Sequence, residues 1–172
     1  MPRDHTDLLR KLWVRKDFRA LPRTAQALYV QLLADAMLTP AGVLPLMVDK
    51  WATGCDDTTD TDIRADLKTL IAAGFVVADA ETFEVLLRWY LDLAGLTRHP
   101  NHLKAALRNA EAVESPLLRK VLAIDLNGLG LTGDAADSVE RLIGPESEPD
   151  PIPIPTDSAP VAILTGRRDH TN

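Results

Sequence analysis

A mainly α fold with a small β-hairpin is what this chain of 172 residues predicts, and three observations predict it. Apolar residues recur at helical spacing in several segments. Two short runs, Phe75-Val76-Val77 and Phe83–Trp89, are instead rich in β-branched, aromatic and leucine residues. Gly, Pro and polar clusters punctuate each change of period. Apolar residues make up 46% and aromatics only 5%, so the core must rest largely on Leu, Ala, Val and Ile.

Residues 1–20 read as a basic arm. The first strong helix is expected from about Arg23 to Met37, with Leu21-Pro22-Arg23-Thr24 as its start signal and proline near the first turn. Ala25, Leu28, Tyr29, Leu32, Leu33 and Ala36 share one face. After the break at Thr39-Pro40-Ala41-Gly42, Val43-Leu44-Pro45-Leu46 is a brief extended piece, confined by its proline to a sheet edge. Met47 to about Thr53 is a short helix with Val48 and Trp51 inward, and Gly54 ends it. The polar turn Cys55-Asp56-Asp57-Thr58 leads to a longer helix from about Thr59 to Ala73. Ile63, Leu67, Leu70 and Ile71 form its inner face, and Thr59 or Asp60 caps it. Asp79-Ala80-Glu81-Thr82 then links the two strands as a hairpin loop. Helix, strand, short helix, turn, longer helix, hairpin is the order of a winged helix-turn-helix domain over residues 21–96. A two-helix extension over 97–127 follows, in Pro100–Val113 and Ser115–Leu126, where Ser115-Pro116 supplies a cap and a first-turn proline. Leu117, Leu118, Val121, Leu122 and Ile124 give its second helix an apolar stripe, either for the wing domain or as the seam of a homodimer.

Residues 128–172 differ in kind. Six of the twelve prolines fall between Pro145 and Pro160, so this acidic tail is expected to be mostly disordered, with a short helix at Ala135–Ile143. Net charge is -6 but unevenly distributed. Residues 1–24 and 97–126 are net basic, whereas 25–96 and 127–172 are net acidic. No run approaches a membrane span, the start of the chain lacks a secretory h-region, and the lone Cys55 forbids an internal disulfide. A cytoplasmic protein of a bacterial host cell, without membrane contact, is the expectation. No phosphate-binding glycine loop, nucleophile elbow or partnered carboxylate pair is present, so no enzyme activity and no cofactor are expected. The spacing His99-Pro100-Asn101-His102 lacks further ligands nearby, and no metal is expected. Trp13, Trp51 and Trp89 read as core residues.

Several stretches resemble a family of actinobacterial phage and prophage helix-turn-helix proteins, described as DNA-binding or replication-initiation proteins. The resemblance lies in Lys16-Asp17-Phe18-Arg19-Ala20-Leu21 leading into Ala25-Gln26-Ala27-Leu28-Tyr29, and in Ala41-Gly42-Val43-Leu44-Pro45 and Trp51-Ala52. It continues in Ile63–Leu70, Gly74-Phe75-Val76-Val77, Arg98-His99-Pro100-Asn101 and Glu114-Ser115-Pro116-Leu117-Leu118-Arg119. It spans roughly residues 13–125 and implies a phage-derived protein that grips DNA at a replication origin or an operator. One departure is Met47-Val48-Asp49-Lys50, with a single cation where members compared with it are more basic.

Duplex DNA is therefore the expected partner. In the usual docking the second helix of the motif enters the major groove. Thr58, Thr59, Thr61, Arg64 and Lys68 are its candidates, Arg64 for a bidentate pair with guanine. Arg15, Lys16, Arg19 and Arg23 of the arm, Lys50, and Arg98, His102, Lys104 and Arg108 would hold phosphates. Against this, Asp56, Asp57, Asp60, Asp62 and Asp66 crowd the same turn and helix and oppose phosphate. The rival is a protein-interaction module whose acidic helix meets a basic partner. Ile152-Pro153-Ile154-Pro155 in the tail would then dock a replisome or regulatory protein.

Overall fold

The computed structural model describes residues 3–95 and 100–143. They are mainly helical, with one small three-stranded antiparallel sheet. Residues 3–20 are not an arm but two helices, α1 (Arg3–Val14) and α2 (Lys16–Ala20). Leu8, Leu12 and Phe18 are the reason: all three are buried in the main core, at a spacing that the surrounding cations obscure in the sequence. Lys11 fastens α1 by donating to the carbonyls of Asp92 and Leu93 at 2.8 and 3.3 Å.

The helix α3 (Arg23–Leu33) buries Ala25, Leu28, Tyr29 and Leu32. It stops short of Met37 because the Asp35 carboxylate accepts the Met37 N–H at 2.8 Å, a local turn that competes with helix propagation. β1 (Val43–Pro45) and α4 (Val48–Ala52) follow, then α5 (Asp60–Ala72). A capping box starts α5: Thr59 Oγ1 accepts the Asp62 N–H, and Asp62 accepts the Thr59 N–H in return. Gly74, at φ 75°, ends the last turn, with Phe75 N–H bonded to Leu70 C=O and Gly74 N–H to Ile71 C=O. That left-handed turn drives Phe75 straight into the core.

β2 (Val76–Asp79) and β3 (Glu84–Leu87) form the hairpin, and the sheet order is β1-β3-β2. β1 is an edge strand, which is how Pro45 is accommodated. Strand alternation then divides the interior in two. Leu44, Val76, Ala78, Val85 and Leu87 join the core built with α1 to α5. Val43, Leu86 and Val77 face a second core made with α7 (Pro100–Glu111), α8 (Pro116–Asn127) and α9 (Asp134–Ile143). The sheet thus separates two helical layers, with the short α6 (Tyr90–Leu93) at their junction. The helix expected at Ala135–Ile143 is α9, one residue longer, and it packs on α7 and α8. The proline-rich run 145–160 lies outside the described residues.

The apolar stripe of α8 is interior. Leu118, Val121, Leu122 and Leu126 are buried within the chain, leaving only Leu117 and Ile124 in solvent, so the expected dimer seam is already occupied by the sheet and α9. Polar contacts hold both ends of α8 along β3. At the start, Glu84 accepts the N–H groups of Glu114 (3.2 Å) and Ser115 (2.7 Å), and Ser115 Oγ donates to Asp79 at 2.5 Å. At the finish, Arg88 forks onto Asp125. Four residues of strand and ten of helix span about 13 and 15 Å, so the two pairs of anchors match in length. Beside Arg88, Trp89 sits at φ 59°, a left-handed conformation costing a non-glycine residue roughly 1–2 kcal/mol. Its backbone N–H reaches Asp125 at 3.4 Å, and its ring lies under two guanidinium groups, Arg15 at 4.1 Å and Arg88 at 5.0 Å.

Candidate nucleic-acid interface

With Ile63, Leu67 and Leu70 turned inward, α5 presents Thr61, Ala65 and Lys68 outward along one exposed ridge, with the partly buried Arg64 on its flank. The ridge is low, because two of its three side chains are small. Thr24 Oγ1 donates to Asp66 at 2.7 Å and fastens the start of α3 to the other flank. Arg23, the first residue of α3, is exposed at that corner, and Lys16 and Arg19 are exposed on the neighbouring α2. The start of α3 thus meets α5 on the Asp66 flank of the Thr61–Ala65–Lys68 ridge, while Arg64 lies on the opposite flank.

Other expected contacts are engaged elsewhere. Thr59 is held in the capping box, its hydroxyl donating to Asp62 Oδ2 at 2.6 Å, so it is no phosphate donor. Thr58 is half-buried in the turn, its N–H bonded to the Cys55 carbonyl. Lys50 pairs with Asp35 at 2.9 Å, and Trp51 Nε1 donates to the same carboxylate at 3.3 Å. Burial opposes the charge on Asp35, but the Met37 N–H, Lys50 and Trp51 outweigh it and hold the carboxyl below its ordinary range. Arg15 pairs with Asp17 at 2.6 Å while stacking on Trp89. These two cations build the fold.

His102, Lys104 and Arg108 are exposed on α7, in the layer across the sheet from α5. The two basic stretches thus sit in different layers, because α7 packs on α8 and α9 in the second core. Arg98 lies outside the described residues. Trp51 is core as expected, at 1% exposure, and Trp89 is half-buried, but Trp13 is 48% exposed. Of the five opposing carboxylates, Asp62 is folded back on the helix start and Asp66 is bonded by Thr24. Asp56, Asp57 and Asp60 remain exposed around the turn, where Asp57 accepts from the exposed Cys55 thiol at 3.0 Å.

The reading of the sequence missed the Arg88–Asp125 pair and the Asp35 hub, since each joins residues far apart in the chain and neither follows a local pattern. No protein family, curated protein or solved structure matches this chain. Among the described residues, no helix is long and apolar enough to cross a membrane.

Proposed function

We propose that α3 through β3 is a winged helix-turn-helix and that it binds duplex DNA through the outer ridge of α5, as a phage-type replication initiator or transcriptional regulator would. The observation that carries this reading is the exposed, low ridge Thr61–Ala65–Lys68 beside the cationic α2–α3 corner. Small side chains let a helix sit deep in a major groove, and Arg64 and Lys68 reach from its side toward base edges. Lys16, Arg19 and Arg23 serve as phosphate contacts. The sheet order β1-β3-β2 and the connection of α4 to α5 by a short polar turn fit this docking.

A binding selection from random duplexes at low salt, followed by titration of variants, tests it. Arg64→Ala relaxes base preference and weakens the selected site by roughly 5- to 150-fold. Arg23→Ala weakens all sequences alike and lowers the salt slope by about 0.9. Lys104→Ala, across the sheet, changes neither. Binding that ignores both Arg64 and Arg23 removes the proposal. One observation favours a second reading, a module for a basic protein partner: Asp56, Asp57 and Asp60 stand exposed at the end of α5 that would approach phosphate. Under that reading, Asp57→Asn with Asp60→Asn abolishes partner capture, whereas under the first it tightens DNA binding.

A further inference from the structure

The elbow between α1 and α2 exposes an aromatic ring, Trp13, that neither the core nor the duplex docking on α5 uses. Leu8 and Leu12 turn inward from α1, so Arg10, Trp13 and Val14, at i, i+3 and i+4, share its exposed side. Trp13 keeps 48% and Val14 76% of their surface in solvent. On α2, Phe18 is fully buried while Lys16 and Arg19 are exposed. The indole packs perpendicular to the Phe18 ring, centroids 5.1 Å apart, so the core fixes its position while half of it stays uncovered. Asp17, the one acidic side chain between Arg10 and Arg19, is paired with Arg15. Lys11 ties the helix beneath to the Asp92 and Leu93 carbonyls, which fastens α1 to the rest of the fold.

An exposed aromatic ring packed on the core, with exposed cations on the same elbow, is the chemistry that holds single-stranded nucleic acid. An unpaired base stacks on the ring while the cations track its phosphates. A duplex offers no free base face, so the indole has nothing to stack on there. We propose that the α1–α2 elbow is a second nucleic-acid site, one for unpaired strands, with Trp13 as the stacking platform and Lys16 and Arg19 as phosphate contacts. Its key residue, Trp13, takes no part in the α5 ridge, so it stands or falls apart from the duplex reading.

The test uses the full chain and a labelled oligothymidylate of about 12 nucleotides, within the ~4–16-nucleotide range of comparable sites. Trp13→Leu keeps apolar packing but loses the π face, and weakens binding by roughly 5- to 150-fold, while Trp13→Phe retains most of it. Arg64→Ala leaves oligothymidylate binding unchanged. Oligothymidylate also quenches tryptophan emission in the wild type and not in Trp13→Phe, a readout independent of any variant's stability. Equal affinity of Trp13→Leu and wild type overturns the proposal. So does an abasic oligomer bound as tightly as oligothymidylate, which would show charge without stacking, and so does binding confined to anionic lipid vesicles.

Discussion

On one face of the sheet, Phe18, Tyr29 and Phe75 interlock with ring centroids 5.5–5.8 Å apart, and Trp89 stands edge-on to Phe75 at 5.5 Å. Across the sheet, the core under α7, α8 and α9 contains, among the described residues, Leu, Val and Ala only. Aromatic rings carry orientation as well as area, because their quadrupoles prefer tilted and perpendicular contacts. Aliphatic side chains carry area alone. The first layer is therefore oriented from inside. The second takes its alignment from polar contacts at the rim, with Glu84 and Asp79 at one end of α8 and Arg88 with Asp125 at the other.

The largest effect comes from removing the aromatic hub. Phe75→Ala deletes a side chain that touches Phe18, Tyr29 and Trp89, and costs about 3–5 kcal/mol. Denaturant unfolding then shows both layers lost together, because Phe75 sits where the β2–β3 hairpin begins. Leu122→Ala, in the aliphatic layer, costs about 3 kcal/mol, and amide exchange accelerates first in α7 to α9. Equal acceleration in both layers would mean that they form one cooperative unit and would dissolve the contrast.

Next in size is the ion pair at the junction. Asp125 has only 8% of its side chain exposed and Arg88 19%, so Arg88→Ala strands a buried carboxylate at a cost of about 3 kcal/mol. Replacing both, Arg88→Met with Asp125→Leu, recovers most of that loss in a thermal melt if the pair only aligns α8. Failure of the double variant to recover would show that the Trp89 geometry depends on the charges themselves.

What could be read from the sequence divides along the same line. The α5 helix, a cap at Thr59 or Asp60, its Gly74 stop and the edge position of Pro45 follow from patterns within ten or so residues, and the structure contains each of them, with Thr59 as the cap. The layer in which α7 lies follows from Leu107 and Ala110 joining the same core as Leu86, on one face of the sheet, a tertiary fact with no local signature. Sequence reasoning therefore placed Arg64 and Lys68 on one helix but could not show that Lys104 and Arg108 stand in the other layer. The helices α1 and α2 were hidden for a different reason. Among the described residues their buried positions are Leu8, Leu12 and Phe18, and the charge of their neighbours dominates any window that contains them. The exposure of Trp13 follows from Leu12, not Trp13, facing the core, and a tryptophan next to a leucine does not announce which of the two is inside.

The smallest expected effect is a pH dependence that distinguishes the layers. Burial opposes the charge on Asp79, but hydrogen bonds from Ser115 Oγ and from the N–H groups of Glu81 and Thr82 prevail, so its carboxyl lies below the usual range. A carboxyl with a depressed folded pKa adds stability that is complete above the unfolded value of about 3.9 and vanishes as pH falls through the folded one. Asp79→Asn should accordingly destabilise the α8 contact by about 1 kcal/mol at neutral pH, the scale of a lost capping bond. The gap between variant and wild type should close as pH falls below about 4. Asp35→Asn should show the same sign, since Asp35 is also depressed, but with its loss of protection in α3 and α4 rather than in α8. Amide exchange at pH 7 and pH 3 separates the two. A gap at Asp79 that persists unchanged at pH 3 would mean that its hydrogen bond to Ser115 works as well through the protonated acid, and the charge would have no part in holding α8 to the sheet.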